Sequence, residues 1–476
     1  MIKKALFSLR TRRLLLTLNC LLLYILLLAS LGNYDWYIAP IPMMQNLVTV
    51  ARVAKPMKEL LAGIMILLCI NFAWTDYEYW LYLVLCFIPF EFSKAYFTLP
   101  KFSPLDYFCT VAVLALVLRR GPFVLWRQAL QILGRWDLWL WIGFFAYSLV
   151  AAHFMGGTAR GPFRWVGFLL LYFLSAEVAM KQPLWPGRLC ALLAWLGTGV
   201  ALDGLYQFWK IPTYVRLVGL FMEHNAFAAY LSLCLPATAL YMRLPSRIPV
   251  FFRGLMLLIS SVAFIMSFSR GAWLGVAAGG LLLADPKWFK GFNTTARRAG
   301  GLALLLALFI LTLGVVRQRS GRKPLSVSDR KSYLQTGYRI FRAHPWMGLG
   351  PGNYSRKIVS YLTEDARRDL QTDVNGRPIG FYFHLHNLYL QMLVELGLIG
   401  FMLWAGGFGY LVWRALRKQQ SDAVFSIAPI LSISIVGFMV HNLVDIVTVN
   451  SFDMMFAILL ATVTYAIPAP LGKRDG

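Results

Sequence analysis

The chain has 476 residues, of which 59% are hydrophobic and only 14% are charged. Its mean hydropathy of +0.61 excludes an ordinary soluble domain and indicates an integral membrane protein. The formal net charge of +25 would suit a nucleic-acid-binding protein, but much of it lies in short basic loops of the kind that face anionic lipid headgroups.

Apolar windows of about 20 residues, the length that a spanning helix needs, recur along the chain. Together they predict an all-α polytopic membrane protein with about 12–14 transmembrane helices. The lower count stays open because the third window is interrupted by Pro89, Glu91 and Lys94. The windows lie at 13–31, 58–74, 79–97, 104–118, 137–153, 165–181, 188–208, 226–242, 249–268, 271–285, 299–316, 388–413, 424–445 and 450–468.

The first window is too long for a removable signal peptide and lacks a small-residue cleavage site. Its basic flank, which includes Lys3, Lys4 and Arg10, predicts a cytoplasmic amino terminus by the positive-inside rule. Alternation then places the other short basic loops on the same side. The six cysteines lie in or beside apolar windows without metal-ligand spacing, and they predict neither a disulfide framework nor a zinc site.

One loop, at about 317–386, is long, and alternation places it opposite the cytoplasm. We therefore predict N-terminal transmembrane helices over 1–316, a helical loop domain over 317–386, and C-terminal transmembrane helices with a cytoplasmic tail over 387–476. The loop has more basic than acidic residues, which predicts an anionic partner. A solvated basic surface against lipid phosphates explains most of these residues equally well.

Two helices are expected inside the long loop. Ser326 or Ser328 is a candidate N-cap for the first helix, which Pro345 and Gly348 would stop. A short second helix is expected over 354–369.

Strong polar groups stand at several helix ends on the same side as the long loop. An arginine at hydrocarbon depth costs ~2.5–3.5 kcal/mol, so its repetition at these ends indicates a function. Snorkelling is an equal alternative for Arg160, whereas Arg216 and Arg270 are flanked by small residues that would let a ligand approach. The candidate substrate-binding residues at these ends are Arg160, Arg164, Arg216, Asn225, Arg270, Asn387 and Asp445.

Two histidines, His384 and His386, stand with Asn387 just before a long apolar run. The ordinary pKa of histidine, about 6.5, suits it to accept a proton near neutral pH, which makes His386 a candidate general base. Asn387 or a backbone carbonyl would fix its tautomer. His384 would point to a different face if the helix has begun, so we expect a structural or acceptor-positioning role for it. The alternative is that both histidines only cap the helix at the interface.

Two other patterns point away from nucleotides and metals. The glycine-rich GLGPG at 348–352 lacks the preceding strand and following helix of a phosphate-binding loop, so it is interpreted as a helix stop followed by a turn. The sequence shows no pair of carboxylates and no His/Asp cluster with metal-ligand spacing on the outward side. We therefore expect no metal and no cofactor.

Several of these motifs resemble a known family of membrane glycosyltransferases. His386 and Asn387, separated by nine residues from Gly397-Leu-Ile-Gly400, resemble the histidine motif of O-antigen ligases. FSRGAWLG at 268–275 and DR…HPWMGLGPGNY at 329–354 resemble features shared with O-antigen polymerases and protein O-oligosaccharyltransferases.

A further match lies upstream, and the matches together span about 160–450. The pattern R-x-x-G-x-F at 216–221, followed by Asn225, resembles another shared feature of the same families. The sequence departs from their usual pattern at Glu223-His224-Asn225, where relatives often carry proline before the asparagine.

The resemblance implies a fold, a reaction and a location. The protein would be a C-type glycosyltransferase-like enzyme of the Gram-negative inner membrane, with a periplasmic loop domain and a periplasmic active site. It would transfer O-antigen polysaccharide from undecaprenyl pyrophosphate to a sugar hydroxyl of lipid A-core, with inversion and without a metal. The resemblance places Arg164, Arg216 and Arg270 at the donor phosphates and His386 at the catalytic position.

The chemistry of the residues agrees with this reaction but leaves alternatives. A departing diphosphate develops negative charge, and the arginine fork binds phosphate in bidentate fashion while staying protonated. An O-antigen polymerase or a protein O-oligosaccharyltransferase would use the same donor chemistry. A permease or flippase would need charges along a path to both faces, and Glu91 and Lys94 are the only obvious mid-membrane charges.

Overall fold

The computed structural model describes residues 77–89, 109, 112–113, 116–117, 120–158, 160–210, 216–221, 223–283, 327–362, 384–417, 427–447 and 452–466. Every regular element in these ranges is a helix, which confirms the all-α prediction for them. Two 3-10 helices, Gly219–Phe221 and Ile358–Tyr361, accompany the α-helices. The α-helices are α1 (Tyr77–Phe87), α2 (Pro122–Leu133), α3 (Arg135–Met155), α4 (Arg160–Lys181), α5 (Trp185–Lys210), α6 (His224–Tyr241), α7 (Val250–Met266), α8 (Arg270–Leu283), α9 (Val327–Ala343), α10 (Tyr354–Lys357), α11 (Leu388–Arg417), α12 (Ile427–His441) and α13 (Phe452–Tyr465).

The predicted apolar windows coincide with helices α3 to α8 and α11 to α13 to within a few residues at most ends. Among the described residues, α3, α5 and α11 are long and apolar enough to cross a membrane, and α7, α12 and α13 are shorter apolar helices. These helices are consistent with a polytopic membrane protein. The count of 12–14 spans and the three-region division stay predictions, and the windows at 13–31, 58–74 and 299–316 lie outside the described residues.

The chain divides into two compact units, Met1–Gln128 and Ala129–Gly476. In the first unit, the guanidinium of Arg120 lies 4.9 Å from the ring centroid of Tyr77 in α1. The same guanidinium donates from Nη1 to Oε1 of Gln128 at 2.7 Å. All candidate site residues belong to the second unit.

Glycines bring α8 against α12 in the second unit. A Cβ atom added at Gly275 would collide with the carbonyl oxygen of Gly437, and one at Gly271 would lie 2.8 Å from Cδ2 of His441. Small residues at four-residue spacing let helix backbones approach closely in membranes. The FSRGAWLG motif therefore sets Arg270, the first residue of α8, beside the end of α12.

An aromatic core joins α4, α11 and α13. The Trp165 and Trp404 rings meet edge to face at 5.5 Å, and Trp404 stacks on Phe408 at 5.2 Å. Phe408 in turn lies 5.7 Å from Phe456 of α13. Aromatic pairs of this kind contribute about 0.5–1.5 kcal/mol each beyond their buried area. The core fixes three helices that all begin at the end of the unit where the site lies.

Helix α11 is interrupted at Gly397, where φ is 65° and ψ is −174°. The amide of Leu398 donates to the carbonyl of Pro345 at 2.8 Å instead of to its own helix. A Cβ atom at Gly397 would collide with the carbonyl oxygen of Trp346. Positive φ and close backbone approach both favour glycine, which explains the residue that opens the Gly397-Leu-Ile-Gly400 stretch.

The GLGPG segment fills this interruption. Helix α9 ends at Ala343, and a turn follows, so the predicted helix stop and turn are confirmed. The amide of Leu349 then donates to Val394 at 2.9 Å, and that of Gly350 donates to Glu395 at 2.9 Å. The segment therefore binds the loop to the backbone of α11.

The helix predicted after Ser326 or Ser328 is α9, which packs on the first turns of α11. Its Tyr333 and Ile340 are buried, and a Cβ atom at Gly337 would lie 2.7 Å from Cδ2 of Leu390. The second predicted helix begins as α10 and continues as the 3-10 helix Ile358–Tyr361, which is tighter than expected. Its expected last turns lie outside the described residues.

Candidate active site

Helix ends of the second unit meet at what we call the histidine end. The amide of Leu217, before α6, donates to Met266 at the end of α7 at 3.2 Å. The amide of Leu388, the first residue of α11, donates to Asn442 just after α12 at 2.9 Å. The histidine end comprises the last residues of α3, α5, α7 and α12 and the first residues of α4, α6, α8, α11 and α13.

Both histidines precede α11, which begins at Leu388. His386 has a φ of 50°, in the left-handed region that side chains other than glycine seldom adopt. Its ring centroid lies 4.6 Å from that of His384 and 5.1 Å from that of Tyr333. The helix has not begun at these residues, so the condition under which His384 would point to a different face is not met. Its structural or acceptor-positioning role stays a prediction.

Asn387 is the N-terminal cap of α11. Its Oδ1 accepts from the amide of Leu390 at 2.9 Å, and its Nδ2 donates to the carbonyl of Leu443 at 2.8 Å. Capping satisfies an amide that has no partner within the first turn of a helix. The expectation that Asn387 or a backbone carbonyl fixes the tautomer of His386 is therefore wrong, since another residue contacts the relevant nitrogen.

That residue is Asp445, whose Oδ1 lies 3.0 Å from Nδ1 of His386. Its carboxylate is buried, and it also accepts from the Ile446 amide at 2.8 Å and from Nδ2 of Asn225. Burial opposes ionisation of Asp445, but the hydrogen bond from His386, with the Ile446 amide and nearby His441, outweighs it and lowers the pKa to about 2. An ionised carboxylate can only accept, so the hydrogen of this contact is on Nδ1 of His386. In the tautomer that carries its hydrogen there, the ring lone pair is at Nε2.

Asn225 extends this arrangement to α8. Its Oδ1 accepts from Oγ of Ser269 at 2.8 Å, while its amide group contacts Asp445. Ser269 follows Phe268, which has a φ of 53°. A non-glycine residue held in this left-handed backbone conformation costs about 1–3 kcal/mol of free energy, and such residues cluster at functional sites. Three separate segments of the chain are thereby joined around the carboxylate that orients His386.

Two of the predicted arginines stand close in sequence to these residues, Arg216 before Asn225 and Arg270 directly after Ser269. Arg216 is half-buried, and its Nη1 lies 2.8 Å from Nε2 of His224, the first residue of α6. Burial lowers the pKa of Arg216, and the charge of Arg270 lowers it further. Arg270 is exposed as the first residue of α8. Two of the three arginines predicted to meet phosphate are therefore near enough for their charges to interact.

Glu223, which directly precedes α6, interacts electrostatically with the histidine side of the site. Although the residue is exposed overall, burial of its carboxyl group raises the pKa to about 7. The negative charge of Asp445 acts in the same direction, and His386 opposes it. Glu223, Asp445 and His386 are thus close enough to influence one another, and they lie in one site.

Arg164 has a different surrounding from Arg216. Its Nε and Nη2 donate to the two carboxylate oxygens of Asp453, both at 2.9 Å, in a bidentate pair between α4 and α13. Asp453 is buried. Arg160 is the first residue of α4, and the structure describes its backbone but not its side chain. The phosphate-binding role predicted for Arg164 and Arg160 stays a prediction.

His384, His386 and Asp445 could together hold a metal ion, because one ligand atom from each lies within 4.8 Å of the others. The expectation of no His/Asp cluster is therefore wrong. The turns before α11 and after α12 bring together residues that are far apart in sequence. Burial, with His386, lowers the pKa of His384 to about 4, so its imidazole is neutral at physiological pH. A cation would compete for a carboxylate that already accepts three hydrogen bonds.

Sequence reasoning missed Ser269, Asp453 and Tyr333 as neighbours of the predicted residues. Ser269 stands directly before Arg270 within the FSRGAWLG motif, and that position could have indicated that it belongs to the site. Asp453 is 289 residues from Arg164, and nothing local to either residue indicates their pairing.

Residues 255–405 match the sequence profile of the O-antigen ligase family. The resemblance found in the motifs is confirmed over this segment, which is about a third of the chain and includes FSRGAWLG and His386. The family covers O-antigen ligases, polymerases and oligosaccharyltransferases, which are glycosyltransferases acting on lipid-linked glycans. Arg216 and Asp445 lie outside the matched segment. No curated protein sequence matches the chain significantly.

Proposed function

We propose that this protein transfers O-antigen polysaccharide from undecaprenyl pyrophosphate to a sugar hydroxyl of lipid A-core. The observation that carries the proposal is the hydrogen bond between His386 and Asp445, at the same end of the unit as Arg216 and Arg270. A base oriented by a carboxylate and a pair of fixed cations are the two elements that metal-free glycosyl transfer from a diphosphate requires. The proposal places this end on the periplasmic face of a bacterial inner membrane.

His386 acts as the general base in this reaction. The hydroxyl oxygen of the acceptor forms a bond to the anomeric carbon of the donor sugar, and its proton passes to Nε2 of His386. Asp445 keeps the imidazole in the tautomer that can accept there and stabilises the imidazolium that results. Help of this kind is typically worth ~10²–10⁴ in rate.

Arg216 and Arg270 act on the leaving group. As the bond between the anomeric carbon and the diphosphate oxygen breaks, negative charge accumulates on the departing lipid diphosphate. Two guanidinium groups held close together meet that charge without needing to move, and they stay protonated throughout. Attack opposite to the leaving group inverts the anomeric configuration.

The loop next to the site favours a phosphorylated acceptor. In its described part, Arg339, Arg342 and Arg356 are exposed, and Lys357 is exposed beside them. Such a surface attracts phosphate groups more strongly than it attracts an average protein. This favours lipid A-core over a protein hydroxyl as the acceptor.

Two alternatives use the same donor. An O-antigen polymerase would pass the glycan to another lipid-linked unit, and a protein O-oligosaccharyltransferase would pass it to a protein. A polysaccharide permease is favoured less, because the charges described around His386 gather at one end of the unit. Glu91 and Lys94, the mid-membrane charges expected from the sequence, lie outside the described residues.

Disruption of the gene in its own cell tests the proposal. If the protein is the ligase, lipopolysaccharide loses all polymer on its core, and undecaprenyl-linked polymer accumulates. Single repeat units left on the core would instead identify a polymerase. Unchanged lipopolysaccharide with loss of protein glycosylation would identify an oligosaccharyltransferase.

A further inference from the structure

The family resemblance assigns Arg164, Arg216 and Arg270 to the donor phosphates, and the first two differ in the partner that holds them. Arg164 is paired with a carboxylate through two nitrogen atoms. Arg216 is held by the imidazole of His224, at 2.8 Å. Among the residues that the structure describes, no carboxylate lies within salt-bridge distance of Arg216 or Arg270.

The contact with His224 has one chemically consistent form. A guanidinium group has five N–H donors and no acceptor, so Nε2 of His224 must accept. The imidazole is therefore neutral, with its hydrogen at Nδ1. A neutral acceptor fixes the orientation of Arg216 but does not compensate its positive charge. A carboxylate would fix the orientation and compensate the charge.

The lack of a compensating carboxylate is important because of where Arg216 lies. Arg216 is half-buried and close to Arg270, and both burial and the second charge act against it. A fold selected only for stability would place a carboxylate against such a pair, as it does at Arg164. The arrangement keeps two positive charges together, which suits a ligand that brings two negative charges of its own.

We propose that His224 is a positioning residue, which orients the Arg216 guanidinium for the donor diphosphate without neutralising it. This inference rests on the proposed function, because it takes a lipid-linked diphosphate as the donor. The start of α6 then serves both halves of the site. His224 holds Arg216, while the next residue, Asn225, holds Asp445.

Binding of undecaprenyl pyrophosphate to the purified full-length chain tests this inference. His224→Leu removes the acceptor at similar volume, and we expect the dissociation constant to rise on the order of tenfold, the effect of losing one hydrogen bond to a charged group. His224→Gln keeps an acceptor oxygen on a side chain of similar length, and we expect binding within about threefold of wild type. Melting temperatures of both variants confirm that they are folded.

A double-mutant cycle separates positioning from a general structural effect. In an Arg216→Ala background, His224→Leu should weaken binding no further, because the group that it orients is gone. Wild-type affinity in His224→Leu would overturn the proposal, as would equal losses in both backgrounds or failure of His224→Gln to restore binding. Transfer to lipid A-core is measured separately on the wild type. If the donor binds but no transfer occurs, the ligase assignment fails while the role of His224 stands.

Discussion

Nδ1 of His386 lies 3.0 Å from Oδ1 of Asp445, so a carboxylate orients the imidazole at the start of α11. The two residues come from turns that precede α11 and follow α12, and the backbone bond from Leu388 to Asn442 holds those turns together. The catalytic role proposed for His386 therefore depends on a residue outside its own motif.

Substitution of Asp445 by Asn should slow transfer by roughly 10²–10⁴-fold, since the imidazole loses the charge that fixes its tautomer and stabilises its protonated form. Side-chain volume is kept, so binding of undecaprenyl pyrophosphate should stay near the wild-type value. Single-turnover transfer and donor binding, measured on the same purified sample, check the two expectations. A transfer rate within threefold of wild type would show that Asp445 does not act through His386.

Gly397→Ala should destabilise the junction between the loop and α11. The residue has a positive φ, and an added Cβ would collide with the carbonyl of Trp346, so we expect a loss of about 3 kcal/mol or more. Gly409→Ala in the same helix is the matched control. A Cβ there meets nothing within 4 Å, and we expect no loss or a gain of about 0.5–1 kcal/mol. Similar melting temperatures for both variants would contradict this account of the interruption.

Arg164→Leu tests whether the pair with Asp453 is structural. Removing the cation that faces a buried carboxylate should lower the free energy of unfolding by about 3–5 kcal/mol. Adding Asp453→Asn to the variant should recover much of that loss, because the buried charge is then removed as well. Thermal unfolding of the single and double variants measures both effects.

The same double variant decides the second role predicted for Arg164. If Arg164 serves only to join α4 to α13, the double variant, whose stability is largely recovered, binds undecaprenyl pyrophosphate as the wild type does. If it contacts the donor phosphates, as the family resemblance implies, binding stays weak although stability has returned.

His384 should make the protein acid-sensitive in a defined range. Burial, with His386, lowers its pKa to about 4, whereas the unfolded chain takes up the proton near the ordinary value of about 6.5. Stability from the neutral imidazole is therefore present above about pH 6.5 and lost as the pH falls toward 4. In His384→Gln, the melting temperature should fall less over this range than in the wild type. Parallel curves for the two proteins would show that His384 does not contribute.

The positions of α3 to α8 and α11 to α13 could be predicted from the sequence because each apolar window is long and ends at polar residues. Helix α2 lies in none of the predicted windows. The start of α9 near Ser326 or Ser328 and its stop before Pro345 were predictable for the same local reasons. His386 was also predictable as a candidate, since it stands directly before an apolar run and a histidine can accept a proton near neutral pH. These features depend on neighbours in the chain.

The partners of the site residues could not be predicted in this way. His386 and Asp445 are 59 residues apart, and Asn225 and Asp445 are 220 apart. Their contacts depend on which helix ends meet, and the amphipathic pattern of single helices does not determine that. The interruption at Gly397 was hidden for a related reason, because a glycine in an apolar run suits close helix packing as well as a break.

The most direct test of the central claim is single-turnover transfer by purified His386→Ala, with lipid-linked polysaccharide and lipid A-core as substrates. The account predicts that transfer falls by at least about 10²-fold while the variant stays folded and binds undecaprenyl pyrophosphate as the wild type does. Near-normal transfer by this variant would contradict the assignment of His386 as the general base.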